Sequence, residues 1–497
     1  MSSVPFAKAI VCAVFMAAFS NAAPAMNSAS SAASSLAVSS MANSAASIAT
    51  SFSSVPSASS AISNSEPVFS SALRHSSAPG SSSTASAAAA SATVPYASDN
   101  ANDVLWSPDG DGSNYEPIRG SLGSTIMGPQ NAAIDGQNPD LLAPPTTDAG
   151  TVGNAKWPFS LSHNRLQTGG WARQQNVDVM PMATGMAGVD MRLEAGAMRE
   201  LHWHKTSEWA YVLSGTVQVA SVNQDGQNFV GNVGPGDLWY FPPGIPHSLQ
   251  ATNDNPDGAE FLLVFDDGSF SEDSTFLVTD WLAHVPKEVL AKNFGVDISD
   301  LNNLPGEELY IFPAPPPASA NDAPVSPQGA VPSPFTFSMS TMNVTQLPGG
   351  TVKIVDSRLF PISTTTAAAE VTVEPGAMRE LHWHPTQDEW SYFIEGAARM
   401  TLFASQGNAR TFDFLPGDVG YIPASYGHYV ENIGNTTLRY LEIFKTDIFQ
   451  DVSLSQWLAL TPQAVVQETL NFNQATMKRL SNLKVKQTVV GPSSQSS

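Results

Sequence analysis

The nine residues GAMRELHWH stand at 196–204 and again, unchanged, at 376–384. A duplicate of that length means that one unit occurs twice, so every local feature has to be read in pairs. The surroundings repeat as well. One copy begins at Pro158-Phe159 and the other at Pro334-Phe335. Each then passes through a GD turn (Gly236-Asp237; Gly417-Asp418), a third histidine and a closing run, Leu262–Phe265 or Leu441–Phe444. Two folded domains also suit 497 residues, too many for one ordinary core.

Within each copy the apolar runs are short, β-branched or aromatic, and punctuated by glycine and proline, as in YVLSGTVQVASV and GDLWYFPPGIPHSL. That pattern predicts antiparallel strands with tight turns, hence an all-β barrel or sandwich. Helical spacing of apolar residues is confined to 280–294 and 453–470, after each set of strands.

Six of the nine histidines fall at matching places: His202, His204 and His247, then His382, His384 and His428. Side chains alternate across a strand, so His-x-His turns both imidazoles to one face. Glu208 and Glu389 follow closely, each before a tryptophan that restarts the strand pattern. A neighbouring antiparallel strand would return the third histidine to the pair. Three imidazoles and one carboxylate suit a divalent transition metal and, in octahedral geometry, leave two positions open. A polar strand face decorated with histidine is the bland alternative, and the duplicated set in register argues against it.

The remainder of the chain differs in character. Residues 1–22 carry Lys8, an apolar run and small residues near Ala22-Ala23, the pattern of a secretory signal peptide, and the one cysteine, Cys12, lies there. Cysteine chemistry is thereby excluded from a processed chain. Residues 23–98 are dominated by serine and alanine and are expected to be disordered, with alanine helix as the competing reading. Residues 99–155 look like an N-terminal strap, 156–300 and 334–480 are the two domains, 301–333 is a proline-rich linker and 481–497 a tail. Asn343 and Asn435 open glycosylation sequons. A net charge of −22 speaks against nucleic acid as partner, no later run is long enough to span a membrane, and a small anionic ligand would need local arginines. A secreted or cell-wall-associated protein is the expectation.

The G…HxH…E…G and G…P…H patterns, each present twice, resemble the cupin superfamily. The runs PFSLSHNRLQTGGWARQ (158–174), GDLWYFPPGIPHSLQA (236–251), FDDGSFSEDSTF (265–276) and GHYVENIG (427–434) are similar to those of bicupin oxalate decarboxylases. The resemblance implies two tandem jelly-roll β-barrel domains with short helical segments after each. It implies two manganese ions per chain, dioxygen as co-catalyst without net oxidation, and oxalate split into carbon dioxide and formate. Family members assemble through helical clasps, so a homo-oligomer is the matching expectation. Oxalate oxidase, releasing peroxide, and a non-catalytic storage-like or ligand-binding bicupin are the rival readings.

Arg199 and Arg379 precede the first metal histidine by three residues, an offset that faces them away in a regular strand, so a bulge is needed to turn them inward. A surface salt bridge is the plainer reading of each. The copies then diverge. Phe265 to Trp281 spans sixteen residues and Phe444 to Trp457 thirteen, the first interval containing SEDST (271–275). By resemblance this is a lid whose glutamate, Glu272, handles the proton; without the family it would read as an acidic turn. The second copy instead places Glu442 in an apolar strand, where a carboxylate needs a partner, and Arg379 is the expected one. Glu272, Arg199, Glu442 and Arg379 are thus the catalytic candidates, and His202, His204, Glu208, His247, His382, His384, Glu389 and His428 the metal ligands.

Overall fold

The computed structural model describes residues 115–492; the expected signal peptide and disordered Ser/Ala segment, the start of the strap and the last five residues lie outside them. Each barrel is a six-stranded and a seven-stranded antiparallel sheet packed face to face, one strand of the larger sheet coming from the other repeat. In the first copy the six-stranded sheet contains the HxH strand Met198–Trp203, flanked by His247–Ala251 and by the short strands Phe276–Leu277 and Ile311–Phe312. The second copy repeats this with Met378–Trp383 flanked by His428–Asn432, Val452–Ser453 and Val489–Val490. The proline-rich stretch and the tail each therefore supply a strand beside an HxH strand.

A tight turn precedes each HxH strand because a glycine adopts positive φ there, 82° at Gly196 and 73° at Gly376. A Cβ at Gly196 would also meet the Ala314 carbonyl oxygen at 2.4 Å, so backbone approach as well as dihedral demands glycine.

The strand Glu208–Ser214 shows how the sequence builds two cores at once. Alternation sends Ala210 and Val212 into the first barrel, while Trp209 and Tyr211 join an apolar cluster between the barrels. The matching strand Glu389–Glu395 sends Phe393 into the second barrel and Trp390 and Tyr392 into the same inter-barrel cluster. Both strands are buried on both faces, hence their near-continuous apolar reading.

The barrels also exchange an edge. Lys156–Pro158, leading into the first repeat, pairs with Asp418–Gly420 of the second barrel, and Thr336–Phe337, leading into the second, pairs with Leu238–Trp239 of the first. Burial holds the first exchange: Lys156 is buried, pairs with Asp418 at 3.2 Å and donates to the Asp413 carbonyl at 2.6 Å.

The strap forms short helices at Ala132–Gln137 and Pro139–Leu142 before Asp148 accepts from the backbone and hydroxyl of Thr411. Each post-barrel helix is broken in two, because Pro286 and Pro462 lack the amide that would continue it. The pieces are Val278–Ala283 and Lys287–Phe294, then Leu454–Leu460 and Gln463–Leu470, followed by Gln474–Leu480. No helix among the described residues is long and apolar enough to cross a membrane.

Candidate metal centres and active site

The HxH strand and its neighbour set the first centre. His202 lies directly opposite His247 in the strand register, and His204 continues the same face. Glu208 opens the next strand, with an Oε2 3.1 Å from His204 Nε2 and 3.4 Å from His247 Nε2. Ligand atoms of all four side chains lie within 4.8 Å of one another, and all four are buried. His382, His384, Glu389 and His428 form the same constellation in the second barrel. There Glu389 Oε2 is 2.9 Å from His384 Nε2 and 3.3 Å from His428 Nε2.

Backbone carbonyls fix the tautomers. The Nδ1 atoms of His202, His204 and His247 contact the carbonyls of Glu200, Thr206 and Ile245 at 2.6, 2.7 and 2.8 Å. In the second centre the partners are the carbonyls of Glu380, Gln450 and Tyr426. A carbonyl accepts only, so Nδ1 carries the proton and the Nε2 lone pair faces the centre. Nε2 of His247, His382, His384 and His428, and Oε2 of Glu389, are buried without a hydrogen bond. Converging acceptors that are buried and unsatisfied call for a cation.

Electrostatics agree. Burial, then the neighbouring Arg199 and His247 charges, hold the His202 pKa well below the ordinary imidazole range, and burial and Arg379 do the same to His382. Burial opposes ionisation of Glu208, yet His247 and His204 outweigh it and hold the carboxyl well below its usual range. A neutral His202 beside an ionised Glu208 is the protonation state a metal requires of those two ligands.

The required bulge is present twice. Arg199 pairs with Leu249 while His202 pairs with His247, three residues on one strand against two on the other, and Arg379/His382 against Val430/His428 repeats the mismatch. Both arginines are consequently buried on the histidine side.

Around the two arginines the copies part. Arg199 Nη2 donates to Glu272 Oε2 at 3.0 Å, and the Tyr310 hydroxyl donates to the same oxygen at 2.9 Å. Arg199 Nε and Nη1 remain buried with no partner. Glu272 sits in a short helical turn, Glu272–Ser274, on the loop that ends in Phe276–Leu277, and that strand pairs with Trp203 and His202. The loop therefore lies over the first centre. In the second copy Arg379 Nε donates to Glu442 at 3.1 Å and Nη2 to Asp451 at 2.7 Å, and Lys486 pairs with Asp451. The Tyr440 hydroxyl also donates to Glu442 at 2.9 Å.

The candidate residues thus fall into two groups, Arg199 with Glu272 and Arg379 with Glu442, one at each centre. Sequence reading missed Tyr310, Tyr440, Asp451 and Trp239. Trp239 donates its indole N–H to Glu208 Oε1 at 2.7 Å, while Ser391 donates to Glu389 Oε1 at 2.6 Å in the second copy. Tyr310 lay hidden in an apparent linker, and its positive φ of 58°, matched by 56° at Thr488, marks a strained backbone at the same place in both repeats.

The Cupin family matches residues 161–301 and 339–478. Oxalate decarboxylase OxdC of Bacillus subtilis is 56% identical over 360 residues, 72% of this chain and 93% of that protein. A probable oxalate decarboxylase of Arthroderma benhamiae is 44% identical over 364 residues, covering 72% of this chain and 89% of the relative. The Bacillus subtilis enzyme structure at pH 4.6 superposes with a TM-score of 0.73 at 54% identity, covering 76% of this chain and 98% of that one. Another structure of that enzyme, from work on its Mn(II) centres, matches equally, with a TM-score of 0.73. With the family matched twice and both metal sets in place, this chain belongs to the cupin family, in its two-domain oxalate decarboxylase branch.

Proposed function

We infer that the chain is an oxalate decarboxylase that converts oxalate to formate and carbon dioxide with manganese, and that the first centre is the main catalytic one. The observation that carries the choice of site is Glu272, a buried carboxylate on a short loop, held by Arg199 and Tyr310 above the first ligand set.

Manganese held by His202, His204, Glu208 and His247, and by His382, His384, Glu389 and His428, supplies Lewis acidity and one-electron exchange. The chain supplies the rest. Arg199 offers two unpartnered buried donors, Nε and Nη1, on either side of the Nη2 held by Glu272, as charged hydrogen-bond donors to a substrate carboxylate. Tyr310 keeps its hydroxyl proton, because burial and the Glu272 charge push its pKa well above the ordinary phenol range, so it donates to Glu272. Glu272 takes the proton of hydrogen oxalate, carbon dioxide leaves as the C–C bond breaks, and the same proton returns to carbon to give formate. Atoms and charge balance: one hydrogen oxalate yields one carbon dioxide and one formate. A closed loop excludes water during the step.

The second centre offers less to a substrate. Arg379 spends two nitrogens on Glu442 and Asp451, and Glu442 stands on a regular strand with no loop of its own. Dioxygen as a co-catalyst that is not consumed belongs to the same reading, with the resemblance as its support; an oxygen-free assay tests it. Secretion is proposed from the composition of residues 1–22, and glycosylation from the sequons at Asn343 and Asn435, both exposed. Self-association is proposed from the post-barrel helices, where Trp281, Phe294, Trp457 and Leu460 are exposed.

The deciding experiment incubates manganese-loaded protein with oxalate and measures formate, carbon dioxide and peroxide. Equal formate and carbon dioxide support decarboxylation. Peroxide with no formate means oxidation, and no product at all means a binding protein.

A further inference from the structure

We propose that Arg165 is a positioning residue of the reaction, a latch that holds the Glu272 loop closed by tying it to the Glu308–Tyr310 segment. The proposal rests on the first centre being the catalytic one.

Arg165 stands on the edge strand Arg165–Gln167 and reaches three things at once. Its Nη1 is 3.2 Å from Asp273 Oδ1, inside the loop itself. Its Nη2 pairs with Glu308, on the segment that leads to Tyr310. Its guanidinium lies 3.7 Å from the centroid of the Tyr310 ring. The Arg199 guanidinium lies 4.1 Å from the same centroid. Two cations cannot share one ring face at those distances, so Tyr310 is sandwiched between them, with its hydroxyl on Glu272. The chain of contact runs from solvent inward: Asp273 and Glu308 to Arg165, Arg165 to the Tyr310 ring, and Tyr310 to Glu272.

The strength of each link fits a latch better than a permanent clamp. Asp273 is 83% exposed and Glu308 45%, so both ion pairs are screened by water and each adds little alone. Stacking on a buried ring is the firmer contact. Arg165 also lines a cavity of about 690 Å³ together with Arg173, Gln174, Glu272, Asp273 and Tyr310. An anion arriving through that cavity meets the guanidinium that holds the loop. Arginine rather than lysine is needed, because only a planar fork can bridge two carboxylates while lying flat on a ring.

The test uses manganese-loaded full-length protein in two assays. Hydrogen exchange of the amides over 271–275, without oxalate, reads the latch independently of turnover. Arg165→Ala should raise that exchange about tenfold, the scale of one stacked, partly exposed cation. Arg165→Lys should recover only part of the protection. Asp273→Asn, at an exposed position that cannot unfold the barrel, should raise exchange about threefold in the parent and add nothing in the Arg165→Ala background. With oxalate, Arg165→Ala should lower kcat for formate and raise the share of peroxide while manganese content stays constant. Unchanged loop exchange in Arg165→Ala, or an Asp273→Asn effect that survives in its background, overturns the latch. Absence of formate from the parent protein overturns the catalytic reading instead, so the two failures are told apart.

Discussion

Arg199 and Arg379 occupy the same place in the two repeats, yet Arg199 has given one nitrogen to a carboxylate on a loop and Arg379 two nitrogens to carboxylates on and beside a strand. The first keeps two donors, Nε and Nη1, free for a ligand and faces one carboxylate, whereas the second keeps Nη1 alone and faces two. That difference in what remains available separates the centres more sharply than the metal ligands, which are the same in kind.

Replacing Glu272 by glutamine keeps the size of the side chain and removes its titration. Formate production should fall by about 10²-fold or more, the scale of a lost general acid. Manganese content should not change. Glu442→Gln is the control and should retain most activity. Full formate output from Glu272→Gln together with loss in Glu442→Gln would move the catalysis to the second barrel.

His202→Ala and His382→Ala each remove one ligand from one centre. Metal analysis of the purified variants should find roughly half of the parent manganese in each, since a centre left with three ligands is expected to bind far more weakly. Parent-like stoichiometry in both would falsify the two-centre assignment.

Trp239→Phe deletes the indole donor that orients Glu208. Manganese affinity at the first centre should drop about 10- to 100-fold, as when other outer partners of metal ligands are removed. Ser391→Ala should do the same at the second centre. Titration of metal into chelator-stripped protein would show whether each loss stays confined to its own barrel.

Stability should respond to pH through Asp190. Burial, then the charge of Glu260, raises its pKa to about 7, with Arg173 only partly offsetting them. The folded chain therefore keeps a proton that the unfolded chain has released above the ordinary value of 3.8. More protons bound in the folded state means that stability falls as pH rises from about 4 to about 7 and levels off above. Thermal midpoints of Asp190→Asn relative to the parent should thus climb across that window. A constant difference from pH 4 to 8 would show that Asp190 is ionised throughout.

An acidic optimum for formate production is expected as well, because hydrogen oxalate carries in the proton that Glu272 must take and return. A rate profile that peaks near pH 8 would exclude that proton source.

Much of this was legible from residues alone. The alternation rule placed His202 and His204 on one face, and the duplicated spacing brought His247 back to them. Even the bulge beneath Arg199 followed, since a three-residue offset cannot otherwise put an arginine and a histidine on the same side. Tyr310 and Asp451 were not legible, because their roles depend on short strands added late in each repeat, and a two-residue strand has no period to detect. Trp239 read as one aromatic among three in LWYF; only the neighbouring strand shows which of them faces the carboxylate. The broken helices turned on Pro286 and Pro462, which the sequence displayed but apolar spacing overrode.

The strands traded between the barrels make the two repeats inseparable. A cut between them would not release two modules: the first half would lose the Thr336–Phe337 cover of Leu238–Trp239, and the second would lose Lys156–Pro158 from Asp418–Gly420. Each fragment would carry a bare sheet edge and the opened face of a shared apolar interior, the conditions for clumping rather than folding. The second barrel is thereby bound to persist as the structural half of the first, whatever chemistry it does itself.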